Sequence, residues 1–397
     1  MAEPVIVDIL RTPFSRSRPR QPERDVFNNL RMDEALARLI NMLLERNKLK
    51  GEEISDLIIG CAMQMKEQWL LGGKTVALLA GLPFSVASAG ADRQCISGMS
   101  AVQQGSMEIM LDYSDAVICC GMEHMTHLPL DPSINTDLMM INPKFFTEER
   151  FKEIDIMTAL NMGLTAEKLA AMSGITRQEM DEFSLGSHLK AAKAQEDGYF
   201  KDEIVPVEVE VDGAKKVIDK DLSVRGDSTL EGMAELQPPF KGDGVITAGN
   251  SSPLNAGTVA LLIVSAEKAK ALGVKPLAKV VGMGWAGVDP TIMGAGPVPS
   301  SKMALDKAGL AAGEIDFWEI NEAFAVVSLY AMKEFNVPAE KVNVHGGAVA
   351  IGHPLAASGP RITGTLARIL QEKGGKYGLA TMCGGGGQGG TVILEKA

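Results

Sequence analysis

Glu53-Ile54-Ser55-Asp56-Leu57-Ile58-Ile59 returns in altered form as Glu314-Ile315-Asp316-Phe317-Trp318, with Ile54 and Ile315 separated by 261 residues. Each copy follows a helix-like segment ending in Leu (Leu49, Leu310) and opens a short apolar run bounded by acidic residues. Downstream, Ser97-Gly98 and Ser358-Gly359 keep the same separation of 261. The apolar strands Val117-Ile118-Cys119-Cys120-Gly121 and Leu379-Ala380-Thr381-Met382-Cys383-Gly384 follow, their cysteines Cys120 and Cys383 separated by 263. One such coincidence is cheap. Four in the same order mark a duplicated unit. Each unit reads as strand, helix, strand, helix, strand, which gives mixed or parallel sheets covered by helices. Two such sheets sharing helices form a layered α/β sandwich.

Residues 122–247 break the pattern. They open with His127-Leu-Pro-Leu-Asp-Pro132, continue as a polar helical region from about Ile156 to Asp197, and then alternate as a strand over Val205–Val211 that turns at Asp212-Gly213. A long insertion between core elements often carries binding function. The reading is therefore an N-terminal half over 1–121 and 248–272, a loop domain over 122–247, and a C-terminal half over 273–397.

With 397 residues the chain exceeds a single typical domain. A formal net charge of −11 argues against nucleic acid or an anionic membrane as partner, and any anionic ligand has to be held by local groups. No apolar stretch reaches the roughly 18 residues of a membrane helix. MAEPVIVDIL has no basic lead into an apolar run, so no export signal is expected. The five cysteines (Cys61, Cys95, Cys119, Cys120 and Cys383) are odd in number and irregular in spacing. That argues against a disulfide framework, and the absence of Cys-x-x-Cys or His-x-x-x-His argues against zinc. A reducing, cytoplasmic setting is the expectation.

Four stretches carry chemistry. In Asp92-Arg-Gln-Cys95-Ile-Ser-Gly98, the apolar residues Val102, Met107 and Met110 that follow have roughly helical spacing. This sets Cys95 near a helix N-terminus, where the macrodipole favours a thiolate. The same cysteine reads about equally well as a small buried hydrophobe. Asn343-Val-His-Gly-Gly-Ala-Val-Ala-Ile-Gly-His353-Pro354 reads as a strand, turn and helix opening that presents His353 as a base, with local packing as the alternative. Cys383-Gly-Gly-Gly-Gly-Gln-Gly-Gly390 reads as a flexible turn whose N–H groups suit an oxyanion. It lacks the Lys-Ser/Thr of a nucleotide-binding loop. Asn321-Glu-Ala-Phe-Ala325 closes a strand, where an Asn amide can hold a water or polarise a carbonyl. Together, two cysteines, a histidine and an asparagine at element ends fit carbon–carbon chemistry on a thioester. Cys61, Cys119 and Cys120 read as packing residues, whereas His124 or His127 could line an acyl pocket.

These four motifs together resemble the thiolases. The resemblance runs from Arg11-Thr-Pro-Phe14, through Thr247-Ala-Gly-Asn-Ser-Ser252 and Asp289–Pro299, to the final glycine-rich strand. It implies a duplicated thiolase fold, a five-layer αβαβα sandwich with an inserted loop domain, in a homodimer or homotetramer. It implies that Cys95 is acylated, that His353 activates it, and that Cys383 moves the C2 proton. Asn321 (through a water) and His353 would form one oxyanion hole, and the amides of Cys95 and Gly385 the other. Ser252 and Arg225 align with coenzyme A contacts. Met162, Met293 and Phe324 align with the lining of the acyl and pantetheine pocket. The implied activity is acetyl-CoA C-acyltransferase: reversible cleavage of 3-ketoacyl-CoA by CoA. CoA is a substrate, and no permanently bound cofactor or metal is implied. Asn161-Met-Gly163 and Glu123-His-Met-Thr-His127 look more like the degradative β-oxidation type, which implies a multifunctional β-oxidation subunit as partner. Acetoacetyl-CoA synthesis and ketoacyl-synthase condensation are the alternatives. A synthase, however, uses two histidines, and here Asn321 stands at the matching position. Three departures bear on geometry near His353: Ala356 for the usual Gly, Ala256 for the usual Asp, and Pro360 where a helix should continue.

Overall fold

The computed structural model describes residues 2–129, 141–211 and 213–397. Leu130, Asp131 and Pro132 of the opening of the insert, and Asp212 of its turn, lie outside them.

The strands are β1 (Pro4–Arg11), β2 (Ser15–Arg16), β3 (Asp56–Gly60), β4 (Ala87–Ala91), β5 (Ala116–His124), β6 (Val207–Val211), β7 (Ala214–Ile218), β8 (Asn255–Ser265), β9 (Ala278–Gly287), β10 (Phe317–Ile320), β11 (Tyr377–Gly384) and β12 (Gln388–Lys396). The longer helices are α1 (Met32–Arg46), α2 (Ser97–Met110), α3 (Met162–Ser173), α4 (Arg177–Glu196), α5 (Pro297–Ala308), α6 (Ala325–Phe335) and α7 (Ser358–Lys373).

The duplication is visible in the pairing. The first half runs β1-β8-β5-β3-β4, antiparallel across the first two steps and parallel across the last two. The second runs β9-β12-β11-β10, antiparallel twice and then parallel. A parallel bridge from Trp318 to Val342 stands where the first half has its fifth strand. The halves are joined into one sheet where Val5 pairs with Lys279 and Ile6 with Ala278 on β1 and β9.

Side-chain alternation explains the layers. On β5, Val117 and Cys119 point into the central core, while Ala116, Ile118 and Cys120 point into an outer one. On β11, Ala380 and Met382 face the same central core and Leu379 faces the opposite outer layer. The central core holds α2 and α7. α2 packs on β3, β5 and also β12; α7 packs on β10, β11 and also β1 and β8. With α1 on the first outer face and α5 and α6 on the second, the order is helix, sheet, helix, sheet, helix. Backbone contact between the two central helices accounts for the repeated Ser-Gly. A Cβ on Gly98 would overlap the Ala356 carbonyl oxygen, and one on Gly359 would overlap the Met99 amide.

Between β5 and β8 the chain leaves the sheets to form α3, α4 and the β6–β7 hairpin. Pro360 does not interrupt α7. It is the third residue of that helix, where the amide has no intrahelical acceptor to lose.

Candidate active site

Cys95 sits in a turn that the sequence builds locally. Gln94 adopts φ 51°. The Arg93 amide donates to Ser97 Oγ at 2.9 Å, and that hydroxyl donates to the Gln94 carbonyl at 2.5 Å. The turn delivers Cys95 just before α2, with the side chain almost fully buried. Burial pushes its thiol up to about 11. The amides of Gly385 and of Cys95 itself act against the rise, and the charge of Glu123 adds to it. Desolvation therefore outweighs the helix terminus, and at neutral pH this cysteine is a thiol that needs a base.

Cys383 lies near the end of β11. The glycine run is a tight hairpin rather than a flexible turn. Gly384 pairs with Gln388 across Gly385–Gly387, and Gly386 and Gly387 both take φ 78°. A Cβ on Gly387 would overlap the Val288 carbonyl oxygen. The constraint aims the Gly385 amide at the Cys95 sulfur. Cys383 is raised by burial and then by Cys95, which places the two sulfurs within electrostatic reach.

His353 follows Gly352, whose φ of 116° excludes other residues. Its amide donates to Asn255 Oδ1 at 2.8 Å, and Asn255 Nδ2 donates to the Ser15 carbonyl at 2.6 Å. Its Nδ1 meets Ser358 Oγ at 2.6 Å. Burial first, then Arg361, pulls the imidazole down to about 3, so it is a neutral base at physiological pH. Asn321 Nδ2 stands 3.5 Å from both ring nitrogens, and Asn321 Oδ1 is buried without a partner among the described residues. The run Ala348–Ile351 before His353 is a helical turn, not a strand. Tertiary contacts decide this: Glu322 accepts from the Val349 amide at 3.0 Å, and Ser187 Oγ accepts from the Gly347 amide at 2.9 Å.

The segments converge through backbone contacts. The turn after His353 lies on the start of α2 at Gly98, and Ile96 presses on Gly384 and Gly390 of the Cys383 hairpin. Ala356 is fully buried, its carbonyl held against Gly98 and Gly121. Ala256 is buried in β8 opposite Ser15 and His124.

Several residues that hold the site had no such place assigned from the sequence. Ser358 entered the reading only as a repeat marker, yet it fixes the His353 ring. Asn255 anchors the His353 amide. Glu123 is buried and held up near 7 by desolvation. It accepts from the amides of Ala62 at 3.0 Å and Met63 at 3.1 Å and from Gln68 Nε2 at 2.9 Å. Glu322 accepts from Ser187 Oγ and Asn343 Nδ2, both at 2.7 Å. His124 and His127 stack with ring centroids 3.6 Å apart. They point at the Phe27 carbonyl, and at Glu67 and the Asn28 carbonyl, respectively.

Of the expected binding residues, Met293, Phe324 and Cys383 share one apolar cluster, with Met162 packed against it. Phe240 lies on Gly163 and meets Phe324 edge-on. Ser252 is tied to the Ala323 carbonyl through its amide and hydroxyl, each at 3.0 Å. Arg225 is exposed, its amide donating to His188 Nδ1 at 3.2 Å. Among the described residues no His, Cys, Asp and Glu group could hold a metal ion, and no helix is long and apolar enough to cross a membrane.

Comparison with known proteins agrees with this geometry. Residues 4–267 match the family model for the thiolase N-terminal domain, and residues 274–396 match that for the thiolase C-terminal domain. The chain is 43% identical to a 3-ketoacyl-CoA thiolase of Marinobacter nauticus, covering 99% of this chain and 98% of the relative. It is 42% identical to one of Aliivibrio fischeri over the full length of both. Its fold superimposes on the crystal structure of human mitochondrial 3-ketoacyl-CoA thiolase with a TM-score of 0.87 at 33% identity, covering 100% of this chain and 99% of that one.

Proposed function

This chain belongs to the thiolase family, and from that premise we propose that it cleaves 3-ketoacyl-CoA with CoA, giving acetyl-CoA and an acyl-CoA shortened by two carbons. The observation that carries the reading is the set of two buried thiols, Cys95 beside the Gly385 amide and Cys383 near the end of β11, together with a buried neutral His353 held by Ser358 and Asn321.

The residues divide the work as follows. Neutral His353 takes the proton from the Cys95 thiol, and the thiolate attacks the 3-keto carbon. Negative charge developing on that oxygen is met by oriented donors. When the C2–C3 bond breaks, the electron pair goes to the acetyl-CoA enolate, and Cys383 delivers a proton to C2. A free CoA thiol gives its proton to the Cys383 thiolate and attacks the acyl–Cys95 thioester. The departing Cys95 thiolate recovers its proton from His353. Asn321 (through a water) and His353 form one oxyanion site, and the amides of Cys95 and Gly385 form the other. Ser252 and Arg225 contact CoA, and Met162, Met293 and Phe324 line the acyl and pantetheine channel. All steps are reversible. The second cysteine and Asn321 favour this over ketoacyl-synthase chemistry.

Residues 122–247 act as the loop domain over the two halves, 1–121 with 248–272 and 273–397. The protein works in the cytoplasm as a homodimer or homotetramer, with a multifunctional β-oxidation subunit as a further partner. CoA-dependent cleavage of a 3-ketoacyl-CoA by wild type, abolished in Cys95→Ala and Cys383→Ala, is the expected result. Cleavage unchanged in either variant would overturn the assignment.

A further inference from the structure

Glu123 is the penultimate residue of β5, is 1% exposed, and takes part in no step of the reaction above. Among the described residues every group it meets is neutral. The amides of Ala62 and Met63 donate at 3.0 and 3.1 Å, Gln68 Nε2 at 2.9 Å and the Cys61 thiol at 3.6 Å, and the Ala356 amide reaches Oε2 at 3.5 Å. A carboxylate taken out of water without a cation costs stability unless its lone pairs are met. Such a group is weak evidence of a stabilising role, and its partners point elsewhere.

Two of the segments it joins carry the reacting pair. Cys61 to Met63 leave β3 beside the Cys95 turn. The Cys61 amide donates at 3.1 Å to the carbonyl of Ala91, the end of the strand that leads into Asp92–Cys95. A Cβ on Gly60 would overlap the Gly98 amide at the start of α2, and Ala62 and Met63 share the central core with Cys95. On the other side, Ala356 lies in the short helical turn Leu355–Ala357, between His353 and the Ser358 that meets its ring. The His353 carbonyl takes the Leu355 amide at 2.8 Å, so the turn begins at the base itself. Ala356 rests on β5 at both ends, its amide at Glu123 and its carbonyl against Gly121. Gln68 Oε1 accepts the His124 amide at 2.5 Å and so fastens the strand that bears the carboxylate.

We propose that Glu123 is a positioning residue for acyl transfer: it sets the distance from His353 to Cys95 by holding the turn that carries the base against the segment that backs the nucleophile. The inference rests on the thiolase reading, and Glu123 acts through His353 rather than on the substrate.

The test is kcat/KM for cleavage of a 3-ketoacyl-CoA from pH 7 to pH 9, for wild type, Glu123→Gln, His353→Gln and the double variant, with melting temperatures alongside. Each Glu123 oxygen takes a backbone amide, so in Glu123→Gln the new NH₂ faces an N–H whichever way the side chain turns. At pH 7 this variant should lose about 10²-fold, the order that a misplacement of about 1 Å costs. With the base out of reach, its residual rate should climb with pH over the range in which wild type is flat, which a smaller folded fraction would not produce. The double variant should be no slower than His353→Gln alone, because residues that act as one unit do not add. If Glu123→Gln does not fold, Glu123→Asp, which keeps the charge and shortens the reach, should give the same climb with a smaller loss. A wild-type rate in the folded variant, a loss that is flat with pH, or losses that multiply in the double variant would each overturn the proposal. No cleavage by folded wild type would instead be a failure of the thiolase reading.

Discussion

Replacing His353 with Gln tests the electrostatics of the nucleophile. Burial holds the Cys95 thiol up at about 11. At pH 7 the thiolate share of such a group is about 10⁻⁴, worth roughly 5 kcal/mol. His353 is held down at about 3, so its reactive neutral form is present at every pH above that. In wild type His353 takes the proton as the sulfur attacks, so its kcat/KM should change little between pH 7 and pH 9. His353→Gln keeps the volume and removes the base. Its kcat/KM at pH 7 should fall by about 10³ to 10⁴, the range general-base catalysis supplies. Because the thiolate is the reactive form and higher pH favours it, the residual rate should climb about tenfold per pH unit. The assay is steady-state cleavage of a 3-ketoacyl-CoA across pH, beside iodoacetamide alkylation of Cys95 followed by peptide mass. A loss under tenfold, or a residual rate flat with pH, would show that Cys95 is already a thiolate and that the burial argument is wrong.

Three further outcomes follow from the packing. Ser358→Ala removes the 2.6 Å contact at His353 Nδ1. kcat should fall by about ten- to a hundredfold with melting temperature nearly unchanged, since the hydroxyl orients a base rather than supporting the core. Gly98→Ala forces a methyl into the Ala356 carbonyl. It should cost about 1–3 kcal/mol in chemical denaturation and should also lower activity, because the same turn carries His353. Arg361→Met strips Glu319 of its buried partner at 3.0 Å and should cost about 3–5 kcal/mol near pH 8. Glu319 is already held up near 7 by burial, and a carboxyl raised in the fold weakens stability as pH climbs from its unfolded value towards its folded one. The deficit should therefore shrink at pH 5 in urea melts.

The sequence disclosed what repeats and what is glycine. Equal separations between Ile54 and Ile315 and between Ser97 and Ser358 reflect two copies of one strand and one helix, and the helices touch through their backbones at Gly98 and Gly359. Cys95 before a helix and Asn321 after a strand were legible because periodicity ends there. The conformation of Ala348–Ile351 was not, because Glu322 and Ser187, distant in sequence, accept the hydrogen bonds of the Val349 and Gly347 amides and make that apolar run helical. Pro360 looked disruptive only while the helix start was unknown; in the first turn it loses no bond. Glu123 was quoted only as part of a motif, and its contacts were out of reach for a similar reason. Its partners lie about sixty positions upstream, and nothing local distinguishes a carboxylate that organises a loop from one facing solvent. The sign of the Cys95 shift was also out of reach: the helix terminus argued for a thiolate, and only three-dimensional burial reveals that desolvation is the larger effect.

The division of labour between the two cysteines is the centre of the account. Its most direct test mixes enzyme with acetyl-CoA in D₂O and follows two signals: acetyl mass on the Cys95 peptide, and deuterium at C2 of recovered acetyl-CoA. Wild type should give both. Cys383→Ala should still acetylate Cys95 but exchange no C2 proton, and Cys95→Ala should never acquire the acetyl group. Acetyl mass on Cys383 in wild type, or C2 exchange that survives Cys383→Ala, would contradict the assignment of Cys95 as acyl carrier and Cys383 as proton carrier.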